Sequence, residues 1–350
     1  MTGLLLITAD DLLLDELLRL AAAAGLTPEV SGDLSTAMRV WSRAPAVVIG
    51  SDLLAGLARM GPPRRRAVHV AGWGRAGEAV FRDALAVGAE HVVELPEGAS
   101  WLSALLTDVG DDRGGRGLTL GVIGGSGGAG ATTFACALGQ AAALGGPAVV
   151  IDLDPLGPGA DRVLGMEEQP GVRWVDLTAT SGRLGSRSLR EALPRRGHLG
   201  VLAWSGGQAR AALPEAGALR EVLAAAARGH QCVVLDLPRG ETELMSRCDE
   251  VVIVVSPTIT GVASAARLVD GLVADGIDTG RAGLVVRGAG VDPEAVARAV
   301  GLPLLAAMPD QRALGEAIDL GLGPLRTRRG PLARATAAVL DRCRVQAVAA

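Results

Sequence analysis

Short unbroken apolar runs alternate with longer helix-like stretches along the whole 350-residue chain, and this alternation restricts it to parallel sheets. A run with no polar residue at every second place suits a strand covered on both faces, as parallel strands under crossover helices are. The first series holds GLLLIT (3–8), an amphipathic stretch over 11–24, AVVIG (46–50), AVHVAG (67–72) and HVVEL (91–95). A helix around 98–108 then gives way to TDVGDDRGGRG (107–117), whose glycines and charges read as a linker. The second series runs through LTLGVIGG (118–125), PAVVIDLD (147–154), HLGVLAW (198–204), CVVLDLP (232–238), EVVIVVSP (250–257), AGLVVRG (282–288) and LPLLAAMP (302–309). The pattern predicts an α/β protein with domains at 1–110 and 118–350, a linker at 111–117 and a boundary near 112–116. The second domain is expected to be one doubly wound parallel sheet with helices on both faces.

Composition narrows the function classes. With 49% apolar and 21% charged residues the chain can bury a sizeable core. A net charge of −4 without a basic stripe predicts no nucleic-acid surface, and the arginine clusters at 64–66 and 326–329 are expected to be solvated. Cysteines 136, 232, 248 and 343 form no CxxC pair and read as buried thiols of a reducing compartment. The four histidines show no pairing that suggests a ligand set. No signal-peptide pattern and no apolar run of ~18 residues occurs, so a cytoplasmic protein is expected. At 331–345, Leu332, Val339, Leu340 and Cys343 recur at helical spacing with few bulky anchors, which predicts packing on the protein's own core and at most indirect membrane association. Finally, the chain has no lysine and no asparagine, so all 34 basic residues are arginines. Any chemistry that needs a lysine is closed to it.

One segment carries chemistry. The strand at 118–125 runs into SGGAGATTFACALGQ, a glycine-rich turn that opens a helix. Such a turn cradles phosphate, because glycines let backbone N–H groups approach the anion and the helix N-terminus adds favourable partial charge. Gly125, Gly127 and Gly130 satisfy the dinucleotide pattern GxGxxG, with Asp152 following 22 residues after Gly130. Gly125 to Thr132 equally satisfy the P-loop pattern GxxxxGK[ST], except that Ala131 replaces the lysine. The loop alone leaves the nicotinamide and triphosphate readings both open.

Downstream motifs separate them. Ser126-Gly127-Gly128-Ala129-Gly130-Ala131-Thr132-Thr133 resembles the KGGxGKTT loop of the MinD/ParA family of deviant Walker ATPases. Asp152-Leu153-Asp154-Pro155 resembles that family's D-x-D segment, and Asp236-Leu237-Pro238-Arg239-Gly240 its D-x-P-x-G Walker B form. The stretch 303–324, containing Pro309, resembles its closing nucleotide loop and helix. The resemblance covers roughly 117–340. It implies a P-loop NTPase-like domain binding ATP or ADP with Mg²⁺. Thr132 and Asp236 would serve the metal, Asp152 and Asp154 would serve the metal and the attacking water, and residues 125–133 with Pro309 would hold the nucleotide.

Both family lysines are absent. Ala131 removes the one that grips the β/γ-phosphates, and Ser126 the signature lysine that reaches across the dimer. Losing a charge-assisted phosphate contact costs ~1.5–3 kcal/mol, roughly 10- to 100-fold in affinity. Turnover is more sensitive, since a comparable cationic group is worth on the order of 10³–10⁵ in rate. Weakened binding with little or no hydrolysis is therefore expected. Arg162 or Arg239 are candidate substitute cations, and an active ATPase built on one of them is the alternative. Arg287 stands where the family has its base-reading asparagine.

Residues 1–108 resemble a response-regulator receiver, of flavodoxin-like fold, with Asp10-Asp11 as the acidic pair. Ser51 falls at the phosphoacceptor position with Asp52 one residue late, Gly72 at the hydroxyl position, and Glu94 or Leu95 at the lysine position. This predicts a pseudo-receiver that binds partners, with Asp10-Asp11 a helix N-terminal charge pair. A pseudo-receiver fused to a lysine-less MinD/ParA domain resembles CpaE/TadZ proteins, especially the actinobacterial CpaE-like septum site-determining group. That resemblance implies a spatial regulator of septum placement or of Tad-type pilus and secretion machinery. It also implies a homodimer through the C-terminal domain, recruited from the cytoplasm to pole, septum or inner membrane face.

Overall fold

The computed structural model describes residues 4–111, 117–177, 184–204, 214–327 and 329–349. The chain divides into two compact units, Met1–Gly115 and Arg116–Ala350. Most of the expected linker, 112–116, lies outside the described residues.

The first unit runs β1 (Leu5–Ile7), α1 (Asp11–Ala23), β2 (Glu29–Ser31), α2 (Leu34–Val40), β3 (Val47–Gly50), α3 (Ser51–Met60), β4 (Val68–Trp73), α4 (Glu78–Val87), β5 (His91–Leu95) and α5 (Ala99–Asp111). Its five parallel strands lie in the order β2-β1-β3-β4-β5, the flavodoxin-like winding. Alternate strand residues feed two cores: Leu4, Leu6, Val48 and Val93 meet the leucines of α1 and α5, while Leu5, Ile7, Ile49 and Val70 meet α2, α3 and α4. β2 carries no apolar run and is half exposed at the sheet edge, which is why its sequence does not announce it. Asp10 caps α1, its carboxylate accepting from the amides of Leu12 and Leu13, as expected of a helix N-terminal pair.

The register of β4 on β5 overturns one expectation. His69 is paired with His91 across the two strands, and their Nδ1 atoms stand 3.3 Å apart. Residues 22 apart in sequence become neighbours because adjacent parallel strands present registered side chains on the same face, a relationship that spacing along the chain does not contain.

The second unit runs β6 (Leu118–Gly124), α6 (Ala131–Ala142), β7 (Ala148–Asp152), α7 (Ala160–Leu164), α8 (Trp174–Leu177), α9 (Ser186–Ala192), β8 (Arg195–Arg196), β9 (Leu199–Leu202), α10 (Ala216–Gly229), β10 (Cys232–Leu237), β11 (Glu250–Val255), α11 (Ile259–Ala274), β12 (Ala282–Arg287), α12 (Pro293–Val300), β13 (Leu304–Met308), α13 (Leu314–Asp319) and α14 (Pro331–Ala349). The sheet order is β13-β12-β11-β6-β10-β7-β9-β8, parallel except for the two-residue edge strand β8, which adds an eighth strand to the seven expected. β6 sits centrally between β10 and β11, so its C-terminal end lies where the winding reverses, the usual ligand position in such sheets.

Alternate residues again serve opposite faces. Val122, Val150, Val234 and Val254 pack under α6 and α14; Ile123, Ile151, Leu235 and Ile253 pack under α10, α11 and α12. Leu332, Val339, Leu340 and Cys343 of α14 are all buried against α6 and the sheet, so the helix spends its apolar stripe on its own core. All four cysteines are buried and none forms a disulfide. Among the described residues no helix is long and apolar enough to cross a membrane.

Candidate functional site

β6 is buried almost throughout, and at its end the chain enters the loop from Gly124 to Gly130. A β-carbon at Gly125 would fall 2.8 Å from that of Ala265, so the strand can leave the sheet here only as glycine. Gly128 and Gly130 adopt φ of 73° and 93°, the left-handed region that other residues avoid. Gly130 begins α6 with no side-chain cap, which leaves the helix N–H groups and the positive end of its dipole facing the loop.

Beside this loop stand the carboxylates. Asp236, the penultimate residue of β10, is in register with Asp152 at the end of β7, and both are buried. Thr132, on the first turn of α6, faces Asp236 and its hydroxyl favours the ionised carboxylate, while Asp236 Oδ2 is buried without a partner. Burial, then the neighbouring charge of Asp152, pushes Asp236 up to about 8. Asp152 is raised to about 6 by burial, against the opposing effect of the Ala160 and Asp154 amides it accepts from at 2.9 and 3.0 Å. Asp154 is half-buried and caps the next turn through the Leu156 amide. Both Asp152 oxygens are thus committed to shaping the 153–160 loop, and Trp174 Nε1 donates to its carbonyl at 2.7 Å. An acid so engaged is poorly placed to read a ribose. Two buried carboxylates with an orphaned oxygen and a hydroxyl at their rim instead suit a divalent cation. The residues present therefore fit Mg²⁺, with Thr132 and Asp236 to hold it.

No lysine approaches the loop, but two guanidinium groups bracket it. Arg239 donates to the carbonyls of Gly124 (3.1 Å) and Gly125 (3.3 Å) and to Ser264 Oγ (2.8 Å). Arg287, from the end of β12, makes a long 3.4 Å contact to the Ala129 carbonyl and pairs with Asp310 at 2.8 Å. Arg162 is exposed on α7. Of the two candidate substitutes, then, Arg239 lies against the loop, already holding its carbonyls. Arg287 reaches the loop although its sequence position pointed only to base recognition. Its guanidinium packs on Gly130, where a β-carbon would meet Nη1 at 2.3 Å. With Pro309, Asp310, Thr133 and Phe134 it lines a cavity of only about 10 Å³, room for about one water. The Arg287–Asp310 pair closes the side of the loop that faces Pro309. Asp310 was not anticipated; its only sequence signal is its place next to Pro309.

In the first unit, the acidic end is spent on structure. Asp52 accepts from Thr8 Oγ1 (2.8 Å) and from the Ala9 amide (2.7 Å). Ser51 opens α3, and its hydroxyl fills the space over Gly72, where a β-carbon would fall 2.5 Å from it. Glu94 accepts from the Ala76 amide.

Comparison with known proteins agrees with this architecture. A family model described as Rv3660c-like, CheY-like N-terminal domain matches residues 7–117. Over 337 residues, 93% of each chain, the sequence is 39% identical to protein Rv3660c of Mycobacterium tuberculosis strain H37Rv, and equally to its counterpart MT3760 in strain CDC 1551. Among solved structures, a ParA family ATPase from Chlorobium tepidum superposes with a TM-score of 0.57 at 16% identity, over 65% of this chain and 98% of that one. MinD of Aquifex aeolicus, in its complex with MinC, gives 0.53 at 19% identity, over 65% and 96%. The septum site-determining protein MinD of Pyrococcus horikoshii, complexed with Mg-ADP, gives 0.52 at 18%, over 66% and 97%. The chain belongs to the Rv3660c-like family, a CheY-like N-terminal domain followed by a parallel sheet of the ParA/MinD fold.

Proposed function

We propose that the protein is a MinD/ParA-type spatial regulator of septum placement or of Tad-type pilus and secretion machinery. In this reading it holds ATP or ADP with Mg²⁺ weakly in the C-terminal domain and turns it over slowly or not at all. The observation that carries this is the pairing of a buried, orphaned Asp236 oxygen beside Thr132 with a loop that no lysine serves. The first favours a cation and its phosphates; the second withholds the charge that stabilises phosphoryl transfer. Residues 125–133 would hold the phosphates through backbone N–H groups, with Pro309 at the base end. Asp154 would orient whatever water reaches the site, on a loop that Asp152 holds in shape.

Partners support the same reading. Leu156, after β7, and Ile259, at the start of α11 after β11, are 93% and 91% exposed. Both follow the C-terminal ends of their strands, the end of the sheet that carries the loop. Exposed aliphatic residues there suit a homodimer interface. The N-terminal domain, with its phosphoacceptor geometry dismantled, would serve as a partner-binding pseudo-receiver.

The test is a thermal-shift panel of ATP, ADP, GTP and NAD, each with and without Mg²⁺, together with a phosphate-release assay. Stabilisation by ATP or ADP that requires Mg²⁺, with phosphate release at background, is expected. Rapid release abolished by Asp236→Ala would replace the proposal with the substitute-arginine ATPase, and stabilisation by NAD alone would overturn both.

A further inference from the structure

A second potential site lies in the first unit, at the N-terminal ends of β4 and β5. His69 is buried and His91 exposed, and their rings stack at 5.4 Å with their planes 24° apart. The two Nδ1 atoms face each other at 3.3 Å. Glu90, the residue before β5, brings a carboxylate oxygen into the same group, all three ligand atoms lying within 4.8 Å of one another. Glu90 also accepts from the Ala67 amide through Oε1, which fixes the carboxylate beside the histidines. Trp101 of α5 covers the cluster, its ring 4.6 Å from that of His91.

We infer that His69, Glu90 and His91 form a binding site for a transition-metal dication of the Zn²⁺ class. Two imidazole nitrogens about 2.0–2.1 Å from a tetrahedral zinc stand about 3.3 Å apart, which is the separation these Nδ1 atoms have with no movement of either strand. Two imidazoles and a carboxylate make a zinc donor set with a fourth position left for water or a partner's side chain. Hard cations such as Mg²⁺ prefer all-oxygen sites, so this cluster and the Asp236 pocket select different ions. The parallel register sets the histidine pair, and the Ala67 amide orients Glu90 as outer-shell partners do in built sites.

The test uses the full-length protein stripped with chelator and titrated with Zn²⁺ by calorimetry and with Co²⁺ by visible absorption. The expected result is one Zn²⁺ per chain, a tetrahedral Co²⁺ spectrum and quenching of Trp101 fluorescence by Co²⁺. Disturbing even an outer-shell partner costs about 10- to 100-fold in metal affinity, so His91→Ala, at an exposed position, should weaken Zn²⁺ at least about 100-fold. Glu90→Gln should weaken it to a lesser degree, and Asp236→Asn should leave it unchanged. His69→Gln, checked by circular dichroism, tests the buried ligand. Failure to bind Zn²⁺, or binding that His91→Ala leaves intact or Asp236→Asn removes, overturns the assignment.

Discussion

Arg287 Nε stands 2.8 Å from an Asp310 carboxylate oxygen, and this pair spans the slot where the family resemblance puts a nucleotide base. The two side chains are 32% and 66% exposed, so the pair is worth no more than about 1 kcal/mol. The cost of breaking it on binding therefore holds nucleotide affinity down by at most about 5-fold, a cost that is absent once the pair is removed. Asp310→Ala should raise the affinity for ATP by up to that factor, measured by calorimetry in Mg²⁺. A lower affinity in Asp310→Ala would show that the pair helps to hold the base instead of excluding it.

Ala131 is the position where a single substitution tests the loop. It is the first residue of α6 and only half-buried, so a longer side chain can leave toward solvent. Ala131→Lys supplies the missing phosphate contact and should tighten ATP binding about 10- to 100-fold, with phosphate release rising above that of the native chain. Unchanged affinity in this variant would mean that the loop does not cradle phosphate.

Asp236 predicts a pH dependence. Its ionisation in the folded protein is raised to about 8 from an ordinary 3.8, so between those values the folded state holds a proton that the unfolded chain has lost. Its contribution is fully present below about pH 4 and is lost as pH rises toward 8, by up to about 1.4 kcal/mol per pH unit. Asp236→Asn should flatten this slope in thermal melts without Mg²⁺ and raise the melting temperature at pH 8. Added Mg²⁺ should stabilise the native chain at pH 8 and leave Asp236→Asn unaffected. A variant that melts lower than the native protein at pH 8 would contradict the view that the buried charge is a cost in the absence of a cation.

The residues that were legible in the sequence share one property: local pattern determines them. Apolar runs marked the buried strands, because a strand covered on both faces has no polar alternation to hide in. The glycines at 128 and 130 marked the loop, because their backbone angles need glycine. β2 and β8 escaped because short, exposed edge strands bury little and leave no apolar signature. The guanidinium positions were legible only in part, Arg239 as one of two candidate cations and Arg287 only at the base-reading position, for a different reason. Arg287 and Arg239 lie 158 and 115 residues from the loop carbonyls they reach, and sheet order alone brings them there. The histidine pair belongs to the same class, created by strand register and invisible to spacing.

Asp52 separates a receiver from a pseudo-receiver by experiment. Its carboxylate is tied to Thr8 Oγ1 and to the Ala9 amide, and it springs from the first turn of α3 instead of from the end of β3. A carboxylate that already accepts two hydrogen bonds is a poor nucleophile, and the lysine that would steady a phosphoryl group is replaced by Glu94 or Leu95. Ser51, at the acceptor position, packs its hydroxyl over Gly72. Incubation with acetyl phosphate and Mg²⁺ should therefore give no acyl phosphate detectable by mass spectrometry. Asp52→Ala removes an exposed but charge-assisted pair of bonds and should cost about 1–2 kcal/mol, lowering the melting transition of the first unit by roughly 4–15 °C. A phosphorylated Asp52 would overturn the pseudo-receiver reading, and an Asp52→Ala protein as stable as the native one would show that the Thr8 and Ala9 bonds do not hold the unit together.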